Sequence, residues 1–232
     1  MTPIWTPARR ATPEFLDDPA TDLSSIVTSG DEIATCNRLF GGTRALLREL
    51  APHWPSLRPA ATLLDVGSGV GDLPAAARRS AAAHGVTLTV IALDRREVLA
   101  SRAARRVDGA CVADAFAIPF ATASVELVTA CQFMHHFSYD EIERLACEMQ
   151  RVATHRVVIS DLRRSWIAAS GVWLASWPLG FHPITRHDGV ASVLKGFVPD
   201  ELGDRLRRAA GAPVSVTPRP GFRVTASWCP RA

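Results

Sequence analysis

The sequence predicts one α/β domain: a Rossmann-like, doubly wound sheet of seven strands, mostly parallel, with helices on both faces and an antiparallel hairpin strand at its C-terminal edge. Three observations point there. A glycine turn, "LLDVGSGVGDLP" (63–74), follows an apolar run and opens a helix. Strand-like and helix-like segments then alternate at intervals of about 25–30 residues, the rhythm of βαβ units. The last two strand-like segments, "VSVT" and "FRVTASW", are split only by "PRPG", too short a link for a crossover.

The elements follow in order. The N-terminal stretch, with Pro3, Pro7 and Pro13, reads as an irregular arm. "SGDEIATCNRLFGGTRALLREL" reads as helix, with Ser29 and Glu32 at capping-box spacing and Gly41-Gly42 breaking the run. "ATLLDVG" is a buried strand, and "DLPAAARRSAAAHG" an Ala-rich helix stopped by Gly85. "TLTVIALD", "GACVAD", "SVELVTAC" and "HRVVISD" are the next four strands. "REVLASRAARR" lies between the second and third, and a helix capped by Ser138 and Glu141 lies between the fourth and fifth. "PDELGDRLRRAAG" is a helix with Pro at its start and Gly211 at its end. Residues 1–58 are expected to form an arm and cap helices. Residues 59–232 form the main domain, with a lid insertion at about 163–196.

Composition narrows the function. The 232 residues are 47% hydrophobic and 21% charged, the balance of a globular protein with a full core. A net charge of +3, with arginines scattered among acids, disfavours a nucleic-acid role. The five cysteines are odd in number and form no CxxC pair, so reduced thiols in a cytoplasmic protein are expected, not a disulfide framework or zinc site. No apolar run of secretion-signal type opens the chain, which agrees with a cytoplasmic location.

The glycine turn is G-x-G-x-G (Gly67, Gly69, Gly71), with Asp72 where a dinucleotide fingerprint places its third glycine. A P-loop is absent. Asp65, two residues before the turn, suits a cation better than a pyrophosphate. Asp94 ends the second strand, where a carboxylate accepts ribose hydroxyls. Asp114 follows the third, in reach of an adenine amino group. All three lie at carboxyl ends of parallel strands, where open α/β sheets bind ligands. The ligand so described has a ribose, an adenine and a positive end, without phosphates.

"LLDVGSGVGDLP", "VIALDRR", "CVADAFAIPF" and "SVELVTACQFMHHF" resemble successive motifs of the class I S-adenosylmethionine-dependent methyltransferases, from about residue 60 to 161. The resemblance implies S-adenosyl-L-methionine as methyl donor and S-adenosyl-L-homocysteine as product. It places Asp65, Gly67, Ser68 and Gly69 by the methionine part and Asp94, with Arg95 beside it, on the ribose. It places Asp114 and Ala115 at the adenine, and Cys131 and Gln132 along the cofactor. The flanks "EFLDDPATD", "CNRLFGG", "SDLRRS" and "TRHDGVASVLKGF" are similar to a small bacterial branch associated with polyketide-type pathways. In that branch the N-terminal helix closes over the cofactor, which points to Asn37 and Arg38.

A substrate would sit beyond the fourth strand. His135 and His136 are candidate bases for a phenol or carboxyl-type proton. Adjacent residues are expected to point different ways, so one faces the acceptor, with His135 favoured by the resemblance, and the other packs inward. On a helix after the fifth strand, Trp166, Trp173 and Trp177 fall within about 40° of one another, with Pro178 ending the helix. They form either a lid facing an apolar acceptor or a core stripe. Pro178, Gly180 and His182 interrupt the run, which argues against a transmembrane span and leaves shallow membrane contact open. Arg186 and His187 are candidates for holding a polar group of the acceptor, and Asp188 is expected to cap "GVASVLKGF". Asp161 has no obvious partner carboxylate, so no metal site is expected.

The function so predicted is methyl transfer to a small apolar or aromatic acceptor, by O-methylation of a phenol or enol in secondary metabolism. C-methylation and a non-catalytic donor-binding scaffold stay open, as does a monomer or a homodimer.

Overall fold

The computed structural model describes residues 6–231; Pro3 lies outside them. The strands are β1 (Ala60–Val66), β2 (Thr87–Asp94), β3 (Gly109–Val112), β4 (Val125–Cys131), β5 (Ala153–Leu162), β6 (Ser215–Arg219) and β7 (Arg223–Trp228). They form one sheet in the order β3-β2-β1-β4-β5-β7-β6. The first five run parallel, and β7 is antiparallel to both β5 and β6. The order reverses at β1 and β4, so their carboxyl ends flank the crevice in which such sheets bind ligands.

Alternation along β1 feeds both faces of the sheet. Leu63 packs with Leu46, Leu50 and Trp54 on one side, and Leu64 with Ile142, Leu145 and Phe197 on the other. The first face is covered by α2 (Gly42–Leu50) and α3 (Asp72–Ala83), the second by α5 (Tyr139–Val152) and α8 (Pro199–Ala210), while α4 (Glu97–Ala103) links β2 to β3. Leu46, Leu50, Trp54 and Leu57 are buried in the main core, so the segment before residue 59 packs as part of the same body.

The first helix, α1, runs Leu23–Leu39 and starts six residues before the expected cap. Asp22 caps it, accepting from the Ser25 amide at 2.9 Å. Ser29 and Glu32 lie inside the helix and serve tertiary contacts: Ser29 Oγ accepts from Thr185, and the Glu32 carboxylate accepts the His182 amide. The spacing was right for a capping box, but Asp22 is the cap and the helix was already under way. Gly41, at φ +86°, separates α1 from α2 as expected. The Ser138/Glu141 capping box is present at α5.

The insertion after β5 is a packed helix pair, α6 (Trp166–Ser176) and α7 (Pro183–Lys195). Asp188 does not cap a helix; α7 begins at Pro183 with His182 as cap. Asp188 is buried in mid-helix and accepts the Phe15 and Leu16 amides, each at 2.9 Å. It ties the N-terminal arm, which makes a 3₁₀ turn over Phe15–Asp17, to the insertion. The arm also runs along the core: Arg9 donates to the carbonyls of His135 and Phe137, and Arg164 to that of Pro7.

Candidate active site

The glycine turn after β1 is held by its backbone amides, two of them bonded to the end of β2. Ser68 donates its amide to Leu93 O, Gly71 to Ser68 O, and Gly69 to Asp94 Oδ2 at 2.9 Å. Gly67, at φ +67°, has a left-handed conformation that disfavours a side chain, and a Cβ there would collide with the Phe133 ring. At Gly69, φ +56°, a Cβ would meet nothing: this side of the turn faces open space.

Around the turn stands a cluster of acids. Asp65 is fully buried and accepts from Thr129 Oγ1 at 2.5 Å. Burial, with smaller pushes from Asp72 and Asp94, raises its carboxyl to about 7. Burial also raises Asp94 and Asp72. Three mutually repelling carboxyls in a low-dielectric crevice favour a cation as their neighbour. Asp94 Oδ1 accepts the Arg96 amide at 2.9 Å and Oδ2 accepts that of Gly69. An ionised carboxylate offers about four acceptor sites. Two therefore remain, the number a ribose diol needs. Asp114 folds back on the Phe116 amide at 2.9 Å, with Ala115 buried beside it. This donor set fits an adenosine bearing a cationic tail.

The end of β4 joins three elements. Gln132 sits at φ +50°, rare for a non-glycine residue and a sign of local constraint. Its Oε1 accepts from Arg223 of β7 at 2.8 Å, and its Nε2 donates to Asn37 Oδ1. Asn37, buried on α1, donates to Asp72 Oδ2 at 3.0 Å. Burial lowers the Arg223 guanidinium to about 10. Cys131 is buried, and burial raises its thiol well above the ordinary range. Arg38 and Arg95 are exposed, in contrast to Asn37 and Asp94 beside them. Arg38 borders a shallow surface groove with Thr43 and Leu47, away from the acid cluster's carboxyls.

The two histidines lie in a 3₁₀ turn, Met134–His136, directly after Phe133. Their rings do not diverge as strand-like geometry would require. They stack at 4.4 Å between centroids with a tilt of 30°. The tight turn brings consecutive side chains to one side. His135 is the deeply buried one, and its Nδ1 lies 2.7 Å from Asp161 Oδ1. Asp161 also accepts the Leu162 amide, and its other oxygen accepts the His135 amide at 3.3 Å. Burial pushes the Asp161 carboxyl up, but the His135 ring outweighs it, and Asp161 is held below the usual carboxylate range. An ionised Asp161 keeps the proton on Nδ1 and leaves Nε2 as the free nitrogen. Asp161, which lacks a partner carboxylate, thus has His135 as its partner.

His135 Nε2 and Glu14 Oε1, both buried, face each other at 3.9 Å, and neither has a hydrogen-bond partner of good geometry among the described residues. Lys195, the only lysine in the sequence, places Nζ 3.0 Å from the same Glu14 oxygen. His136 Nδ1 bonds Asp17 Oδ2 at 3.0 Å. Burial lowers the His136 imidazole, but Asp17 and Glu14 outweigh it and leave it raised above 6.5. Phe133 and Phe137 pack at 4.9 Å alongside, giving the histidine turn an aromatic wall.

The tryptophan stripe lies elsewhere. Trp166, Trp173 and Trp177 are 40%, 47% and 56% exposed, and α6 buries Ala168, Ala169 and Ser176 instead. The rings therefore do not fill the core. Arg186 is spent inside the insertion: it donates to Ser176 Oγ and Phe181 O and stacks on Trp177 at 3.7 Å. His187 bonds Asp188 at 2.8 Å and packs on Phe15. Arg186 thus braces the insertion, and His187 ties it to the arm.

Sequence reading missed Glu14, Asp17, Lys195, Arg96 and Arg223. Two signals were available: Asp161 ends a parallel strand on the ligand side of the sheet, and Lys195 is the lone lysine in an arginine-rich chain. Glu14 and Asp17 are about 120 residues from the histidines, and no local pattern links them.

Residues 64–159 match the family model of the methyltransferase domain. Among solved structures, the chain is similar to an S-adenosylmethionine-dependent methyltransferase of Aquifex aeolicus, at 19% identity over 89% of this chain and 97% of that one, with a TM-score of 0.60. It is similar to a TehB-like S-adenosylmethionine-dependent methyltransferase of Corynebacterium glutamicum, at 14% identity over 90% and 100%, TM-score 0.57. A protein of Anabaena variabilis described as a methyltransferase from an antibiotic biosynthesis pathway matches at 20% identity over 75% and 67%, TM-score 0.51. No curated protein matches the chain. Residues 64–159 thus match a methyltransferase-domain family, and the chain shares the fold of the S-adenosylmethionine-dependent methyltransferases.

Proposed function

We propose that this protein transfers a methyl group from S-adenosylmethionine to a hydroxyl of a small apolar or aromatic acceptor, with His135 as general base. One observation carries the reading: a buried Asp161–His135 pair, next to the acid-lined crevice, whose Nε2 has no hydrogen-bond partner of good geometry among the described residues. Asp94 would hold the ribose, Asp114 and Ala115 the adenine, and Asp65 with the Gly67–Gly69 backbone the cationic amino-acid end. When bound, the cofactor supplies an electrophilic sulfonium methyl.

The chain's own residues do the rest. Asp161 orients the ring and stabilises the imidazolium that forms when Nε2 takes the acceptor's proton. Phe133 and Phe137 offer an apolar wall and exclude water, which suits an aromatic ring. Glu14 stands against Nε2, so the arm moves aside for the acceptor to reach the base. A secondary-metabolite acceptor is supported by the flank resemblance and by the fold likeness to the Anabaena protein.

The test is incubation with labelled donor and a panel of phenols. Label in an ether, acid-stable and oxygen-linked, is the expected product. Label on carbon would move the reading to C-methylation, and donor binding without transfer to any acceptor would leave a scaffold.

Glu14, His135 and His136 place one ligand-type atom each within 4.8 Å of one another. Lys195 already supplies the positive charge on Glu14 and competes with a cation. Transfer is therefore expected to persist in excess chelator, and loss restored by magnesium or zinc would show that the reaction needs a metal.

The arm's hold is expected to depend on pH. His136 is raised, so its contribution is complete below about 6.5 and is lost as pH rises through its folded value. Asp17 is lowered: burial opposes this, but its bond to His136 and the nearby His136 and Lys195 charges prevail. Its contribution is present above 3.8 and is lost as pH falls through its folded value. After correction for intrinsic exchange rates, protection of the Phe15 and Leu16 amides should fall between pH 6 and 9. Protection that rises over that range would remove the His136–Asp17 pair from the latch.

A further inference from the structure

We propose that α6 is a membrane-docking helix, which seats its aromatic face in an anionic lipid surface. Of the large apolar side chains that stand exposed on the described residues, six lie within 166–179: Trp166, Ile167, Trp173, Leu174, Trp177 and Leu179, at 40–61% exposure. The pattern is inverted relative to an ordinary surface helix. The small residues Ala168, Ala169 and Ser176 face inward, while the bulky ones face out. A helix that is apolar around its whole circumference is normally buried, and this one is half in water. Leaving six such side chains about half exposed forfeits apolar burial unless something covers them.

Charge and residue type decide what covers them. No acid occurs between Asp161 and Asp188, while Arg163, Arg164 and Arg186 do. Arg164 is buried against Glu201. Arg10 lies over the Trp166 ring at 4.9 Å and Arg186 over Trp177 at 3.7 Å, so guanidinium groups rim the aromatic face. A second copy docked on this face by a two-fold axis would set arginine against arginine, with no acid in the segment to pair them. Lipid phosphates are the complementary charge, and tryptophan is the side chain that settles at the headgroup level. No helix among the described residues is long and apolar enough to cross a membrane, so the contact is one of lying on the surface. This inference does not depend on the methyl-transfer reading.

The full chain would be floated with vesicles of mixed phosphatidylglycerol and phosphatidylcholine, with pure phosphatidylcholine as comparison. Co-flotation with the anionic vesicles, a blue shift of tryptophan emission and weakening by salt are expected. Trp173→Ser with Trp177→Ser should cut partitioning by about tenfold or more while the circular dichroism spectrum is kept, since both rings are exposed. Arg10→Glu should weaken anionic binding without altering the fold. Absence of binding to either vesicle, or binding undiminished in the tryptophan variant, overturns the proposal. Equal binding to neutral vesicles overturns the anionic assignment. A concentration-dependent dimer in sedimentation, abolished by the same tryptophan substitutions, would make the face an interface between copies and overturn the membrane reading.

Discussion

His135→Ala is expected to lower kcat for methyl transfer by about 10²–10⁴-fold while donor affinity stays nearly unchanged. The ring contributes in two ways. Its Nε2 accepts the hydroxyl proton, and its Nδ1 satisfies the buried Asp161 at 2.7 Å. The alanine variant removes both and leaves a buried carboxylate without its main partner, so it is also expected to lose stability. His135→Gln separates the two effects: an amide can still donate to Asp161 but cannot take a proton at neutral pH. A kcat defect in the glutamine variant with a near-normal melting temperature would assign the loss to base catalysis. A series of phenols of falling pKa adds a chemical readout, because the defect should shrink as the acceptor ionises unaided. A constant defect would mean that His135 only positions the acceptor, and no defect would remove it from the reaction. His136→Ala is expected to act through the arm instead, since its Nδ1 is held by Asp17.

Asp94→Ala should weaken S-adenosylmethionine and S-adenosylhomocysteine by about 1.5–3 kcal/mol, roughly 10- to 150-fold in Kd, through loss of charge-assisted hydrogen bonds to the ribose diol. The structure limits the reading of that number. The carboxylate also receives the amides of Gly69 and Arg96, so part of the loss comes from a loosened glycine turn. Asp94→Asn keeps one carbonyl acceptor and the side chain's shape, and is expected to fall between wild type and alanine. Calorimetry on folded protein reads the outcome. Unchanged affinity in Asp94→Ala would place the cofactor elsewhere.

The succession of strands and helices and the acid positions were legible because both follow from local rules; the strand order itself came from the tertiary structure. Short apolar runs closed by glycine mark buried parallel strands, and ligand residues sit where those strands end. Asp65, Asp94 and Asp114 could be found by counting. The short "PRPG" link likewise required a hairpin, and β6 and β7 form one. The misreadings occurred where one segment's role depends on another. Ser29 has the spacing of a cap, but Asp22 had already started the helix. Asp188 looked like a cap and is instead the anchor of the arm.

The site's polar arrangement belongs to the tertiary structure alone. That Asp161 faces His135, that Glu14 reaches Nε2 from the arm, and that the lone lysine meets Glu14 all require segments from both ends of the chain to converge at the carboxyl edge of the sheet. Periodicity describes which face of an element is apolar, and the tryptophans of α6 show its limit. Their spacing defined a stripe correctly, but only packing determined that alanines would take the inner side and the stripe would face outward. The sequence by itself thus determined the sheet's strands and the acids at their carboxyl ends, through local pattern. The tertiary structure decided the pairing of His135 with Asp161 and the direction of the apolar face, because those rest on contacts between residues that no local pattern links.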